Sequence, residues 1–78
     1  MDPQATLTRI AELYRESQEY FGTPRGDDAG EYLDIVCDDL LHWLSIGGFE
    51  PDWTKVHGAV VSYLQCRQVT FAKRQVEA

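Results

Sequence analysis

The sequence predicts an all-α fold, a compact three-helix bundle with helices over roughly residues 3–21, 28–46 and 52–75. Three observations predict it. Apolar residues recur at helical spacing in three separate stretches. Helix-opening residues precede those stretches, and glycines follow the first two. Both connections are short, which makes neighbouring helices antiparallel. No stretch alternates with a strand period for long. "GAVVSYLQ" is β-branched, but it sits inside a longer helical pattern with no turn signal on either side. The chain has 78 residues, which is one domain, 1–78, with a small core.

The first helix opens with Asp2 as a cap and Pro3 at its first position, where a missing N–H costs nothing. Leu7, Ile10, Tyr14 and Phe21 form its apolar stripe, with Ala11 and Ser17 beside them, and it stops near Gly22. "GTPRGDDAG" is the first connection. Thr23 before Pro24 is biased to extended backbone, and Gly26 permits a turn. Asp28 then reads as the cap of the second helix, with Glu31 as its capping-box carboxylate. Leu33, Val36, Leu40 and Leu44 line the core face, Cys37 is adjacent, and Gly47-Gly48 ends the helix. Phe49 and Trp53 are expected to plug the bend that follows. Pro51 and Asp52 open the third helix, which carries Val56, Ala59, Val60, Tyr63, Leu64 and Phe71 on one side. Lys73 and Arg74 suit its last turn, and the tail "QVEA" is expected to fray.

The net charge of −6 argues against direct nucleic-acid binding and against anionic membranes. The start "MDPQATLTRI" has no basic stretch followed by an apolar one, and no apolar run approaches the ~20 residues of a membrane span. A soluble, cytoplasmic protein is expected. Cys37 and Cys66, on largely apolar faces, are expected as reduced core residues.

The informative residues are those that break the amphipathic rule. Taking about 100° per residue, Ile35 and Ile46 lie roughly 140–160° from the core stripe of helix two. Tyr32 and Trp43 fall between, around Asp39. Leu13 and Tyr20 widen helix one in the same way, and Val61 and Val69 widen helix three. Tyr32, Ile35, Asp39, Trp43 and Ile46 therefore form a candidate partner-binding edge, for a homodimer or another protein. Arg67 is the opposite anomaly, a cation within about 20° of Val56 on the core face. Its stem covers the bundle while its head reaches solvent, or it pairs with a carboxylate of a neighbouring helix.

Glu31, Asp34 and Asp38 form an acidic face on helix two. Asp34, Asp38 and His42 are spaced i, i+4, i+8, a weak candidate for a divalent metal. A di-metal bundle would carry Glu-x-x-His on two helices, and that motif is absent. Cys37, His42, His57 and Cys66 invite a zinc reading, but neither neighbouring pair shares a helix face. Cys37 and His42 face different ways, and Ser45 has no oxyanion loop beside it. "GTPRGDDAG" matches neither a P-loop nor a dinucleotide fingerprint, and "GDDAGEYLD" lacks the order of a calcium loop. No cofactor and no catalysis are expected. The favoured function is a small acidic interaction or regulatory module, self-associating or docking a partner. The alternative is an acidic nucleic-acid mimic, in which Asp27, Asp28, Glu31, Asp34, Asp38 and Asp39 face a basic groove. No motif is specific enough to name a family.

Overall fold

A computed structural model describes the backbone of residues 1–77 and the side chains of residues 1–74. Three α-helices and a short 3₁₀ turn make up the described chain: α1 Pro3–Glu19, α2 Pro24–Ser45, the turn Trp53–Lys55, and α3 Gly58–Glu77. The all-α three-helix bundle is the fold, and no strand occurs among the described residues. Also among these residues, no helix is long and apolar enough to cross a membrane.

In α1, Asp2 Oδ1 accepts from the backbone N–H groups of Gln4 and Ala5, both at 3.1 Å, with Pro3 in the first turn. Leu7, Ile10 and Leu13 are buried, and each contributes roughly 1.5–3 kcal/mol by leaving water. Two expectations change here. Leu13, placed off the main face by the helical wheel, belongs to the core because α1 packs against both other helices. Phe21 leaves the core and is 85 % exposed. The helix has ended at Glu19, so Phe21 no longer follows its period.

The second helix begins four residues before the expected Asp28. Thr23, in extended conformation, is the cap, and its Oγ1 accepts from Gly26 N–H at 3.2 Å. The pre-proline bias sets Thr23 extended, and Pro24 then opens the helix itself. Gly26 is not a turn residue. It lies inside α2, buried, where a Cβ would run into the Tyr20 carbonyl. Its missing side chain lets the two helices close up at this corner. Arg25 Nε donates to Glu16 Oε1 at 2.8 Å across the same corner, with its guanidinium 4.0 Å from the centre of the half-buried Tyr20 ring. At the other end, Gly47 takes φ +91°. Gly48 N–H donates to Trp43 O at 2.9 Å and Gly47 N–H to Leu44 O at 3.3 Å, the two bonds of a Schellman close.

The third helix starts later than expected, at Gly58 rather than residue 52. Asp52 Oδ1 accepts from Thr54 N–H at 3.0 Å and also takes the Thr54 hydroxyl, which closes a 3₁₀ turn. Val56 is then extended. His57 opens α3, its Nδ1 accepting from Ala59 N–H at 3.1 Å. Gln4 Oε1 accepts from Asp52 N–H at 2.7 Å, which ties this connection to the first turn of α1. Val60 and Leu64 of α3 reach the core formed by Leu7, Ile10, Leu13, Ala29, Leu33, Cys37 and Leu40. Val56, Tyr63 and Phe71 are half-buried, and Ala59 is exposed. Cys66 is exposed as well, against expectation, since α3 meets the bundle along a stripe narrower than the wheel implied.

Candidate functional site

The outer face of α2 keeps its apolar residues in solvent. Tyr32, Ile35 and Ile46 are 60 %, 59 % and 66 % exposed, with Asp39 and His42 exposed between them. Trp43 is different. It is half-buried against the core, its Nε1–H donates to Phe49 O at 3.1 Å, and its ring meets Phe49 edge-on at 5.6 Å between centroids. The indole therefore forms the floor of the corner after α2. Phe49, expected as a plug, lies over that floor and is 66 % exposed. Ile46, at the C-cap of α2, is exposed as well. The sequence carried a signal for the Phe49 contact: a Schellman close is commonly accompanied by an apolar contact across it, and Phe49 follows the glycine pair directly. Of the other wide-angle residues, Val61 is half-buried and Val69 exposed on α3.

The acidic face is partly neutralised from α3. Arg67 Nη1 lies 3.2 Å from Asp34 Oδ1, and its Nη2 lies 3.6 Å from Asp38 Oδ1. Arg74 Nη2 donates to the same Asp38 oxygen at 3.1 Å. The Arg67 side chain is only 26 % exposed. Both readings of Arg67 hold together: the stem covers the bundle and the head spans two carboxylates one turn apart. These carboxylates face water, so each pair is worth about 1 kcal/mol or less. Glu31, Asp27, Asp28 and Asp39 remain exposed with no cation on them among the described residues.

The chemistry-bearing residues are dispersed. Asp34 and Asp38 are occupied by guanidinium groups, and His42 does not join them. Among the described residues no three His, Cys, Asp or Glu side chains meet so as to hold a metal ion. His57 is spent capping α3, while Cys66 faces solvent. Burial pushes the Cys37 thiol up to about 12, so it stays protonated and inert at neutral pH. Burial also raises the Tyr63 hydroxyl. Ser45 Oγ donates to His42 O at 2.7 Å, a bond within the last turn of α2. The concave surfaces are open grooves, one by Tyr14, His57 and Val60, another by Leu41, Trp53 and Leu64. Neither brings a nucleophile to a base with an orienting group behind it.

No protein-family model, curated protein or solved structure matches the chain.

Proposed function

We propose that the protein is a small acidic interaction or regulatory module that docks a protein partner through the outer edge of α2, with no catalytic step of its own. The observation that carries this reading is the exposure of Tyr32, Ile35 and Ile46 along the outer face of α2, with the exposed Phe49 packed on Trp43 just beyond its end. Large apolar side chains anchor most interface energy, and neighbouring exposed ones mark a contact surface better than scattered ones do. The net charge of −6 supports a protein partner over nucleic acid or a membrane. An unpaired, exposed thiol at Cys66 suits the reducing cytoplasm.

The mimic reading has less support. Two of its carboxylates, Asp34 and Asp38, are already paired with arginines of the same chain. Capturing partners from a native-cell extract at low and high salt separates the two. Docking on the apolar edge persists at high salt, and Ile35→Asp with Ile46→Asp removes it. Each anchor is worth roughly 1.5–3 kcal/mol, hence about tenfold or more in affinity. Asp34→Asn with Asp38→Asn leaves it unchanged. A partner lost in salt and with the asparagine variant, but kept by the Ile35/Ile46 variant, would overturn the reading in favour of mimicry.

A further inference from the structure

Among the exposed residues of α2 and its C-cap, the large apolar ones, Tyr32, Ile35 and Ile46, share one stripe with three polar residues. Asp28, Tyr32, Ile35, Asp39, His42 and Ile46 are separated by alternately four and three residues. At about 100° per residue they fall within about 80° on the wheel. That is the spacing of the a/d seam of a coiled coil, here with polar residues at three of its six positions, and it lies opposite the residues that α2 buries: Leu33, Cys37 and Leu40. A helix that packs into its own bundle on one side carries a second seam on the other.

We infer that the occupant of this seam is the α2 helix of a second copy, running antiparallel, with the two-fold axis passing between Leu40 and Leu41. This rests on the docking reading above and names its partner. Antiparallel coiled coils set a positions opposite d positions. In this register Ile35 meets Ile46 of the second copy, and Asp39 meets His42 of the second copy. Asp39 is an acceptor, and His42 donates to it whether neutral or charged. The two-fold repeats each contact. On the flank, the half-buried Val36 comes beside the second copy's Trp43. Asp38, on the other flank, falls beside Ser45 rather than another acid.

Other registers lose this match. Sliding one helix by seven residues in one direction sets Ile35 on Asp39 and Ile46 on Asp28. Sliding it the other way sets His42 on Ile46 and carries Asp39 past the end of the second copy's α2. A parallel pairing sets Asp39 on Asp39. Each of these loses the Asp39–His42 pair and leaves a carboxylate against apolar groups, against its own charge or without a partner, which costs affinity. The charge pattern thus selects one orientation and one register, as specificity in coiled coils generally does.

The seam from Tyr32 to Ile46 runs roughly 21 Å along a helix about 10 Å across. That is small beside the ~800 Å² per partner of a standard stable interface, so the dimer is weak and is sought at high concentration. The test is sedimentation equilibrium of the full chain, from micromolar to millimolar. The expected result is a reversible rise from the 8.9 kDa monomer towards twice that mass. Asp39→Lys removes the acceptor that His42 of the second copy donates to, and His42→Asp sets two acids face to face. Each weakens the dimer about tenfold or more, and the double variant in one chain restores it. Ile35→Asp abolishes it. All these positions are exposed, and circular dichroism confirms that each variant is folded.

Three outcomes overturn the inference: a strict monomer at millimolar concentration, a dimer indifferent to Ile35→Asp, or single variants that the double one does not rescue. In each of them the docking reading is judged separately, by whether Ile35→Asp with Ile46→Asp removes the captured partner. If it does, that reading stands with a different occupant, and if it does not, both fall.

Discussion

Gly26 and Gly30 lie one turn apart in α2 and respond to a methyl group in opposite ways. A Cβ on Gly26 would strike the Tyr20 carbonyl, which is backbone and cannot rotate away, whereas a Cβ on Gly30 meets nothing within 4 Å. Gly26→Ala should destabilise the fold by about 1–3 kcal/mol, the usual cost of overpacking. Gly30→Ala should stabilise it by about 0.5–1 kcal/mol, since it removes backbone freedom from the unfolded chain. In thermal melts these are shifts of opposite sign, each of about 4 °C or more per kcal/mol for a chain this size. Equal shifts would show that the α1–α2 corner is looser than described. Cys37 makes a pH prediction. Its folded thiol is raised to about 12 by burial, with Arg67 opposing the rise and Asp34 and Asp38 adding to it, against about 8.5 in an unfolded chain. The folded state therefore holds the proton more tightly. The stabilisation is fully present below about pH 8.5 and is lost as pH rises towards 12, by at most about 1.4 kcal/mol per unit. Tyr63, also raised, acts in the same direction at the upper end. Urea denaturation at pH 7, 8.5 and 10 checks this. Cys37→Val should flatten the profile between the last two points.

At the scale of elements, the three helices each depend on a cap, and the caps differ in how openly they read. Asp2-Pro3 and Gly47-Gly48 were legible because a single residue type does each job with no competitor nearby. Thr23-Pro24 competed with Asp28, which carries the better sequence signature because Glu31 completes a capping box. Tertiary packing decided for Thr23, since only a helix beginning there can use Gly26 to approach Tyr20. Thr23→Ala should cost about 1 kcal/mol, read as a lower urea midpoint with an unchanged slope. No change would mean that Asp28 takes over as the cap at little expense. His57 was not legible as a cap, since a ring nitrogen does this job less often than a carboxylate or hydroxyl. Phe21 and Cys66 were misplaced for a related reason: periodicity assigns a face but does not say where a helix stops or how wide a neighbour's footprint is. The outer edge read well at Tyr32, Ile35 and Ile46, which no neighbour covers. It read poorly at Trp43 and Phe49, whose positions depend on how the chain turns after Gly48. Arg67 was legible as an anomaly, but its partners needed the helix packing to appear.

Across the whole molecule, packing is uneven, and that bears on where a docking surface can be rigid. α1 and α2 share most of the contacts between helices, and α3 touches each of them less. The fully buried residues of α3 among those described, Val60 and Leu64, both lie in its first half. Beyond them α3 is held by Arg67 on Asp34 and Asp38, by Arg74 on Asp38, and by the half-buried Phe71. Exposed ion pairs hold weakly. Segments with few buried apolar contacts open locally at a fraction of the global free energy. Native-state hydrogen exchange should therefore find two classes of amide. Those of Ile10, Leu13, Cys37 and Leu40 should exchange only through global unfolding, while those of Gln68 to Ala72 should exchange through a lower-energy opening of α3. Arg67→Met keeps the stem over the bundle and removes the head. It should speed exchange in Gln68 to Ala72 several-fold and leave the core amides of α1 and α2 nearly unchanged, at a global cost under about 1 kcal/mol. Uniform protection along α3, or an equal loss in α2, would show a single cooperative unit instead. The distinction matters for the edge carrying Tyr32, Ile35 and Ile46. It stands on the better-packed pair of helices, so its side chains are presented on a backbone already fixed before any partner arrives, and little ordering entropy is left to be lost on docking.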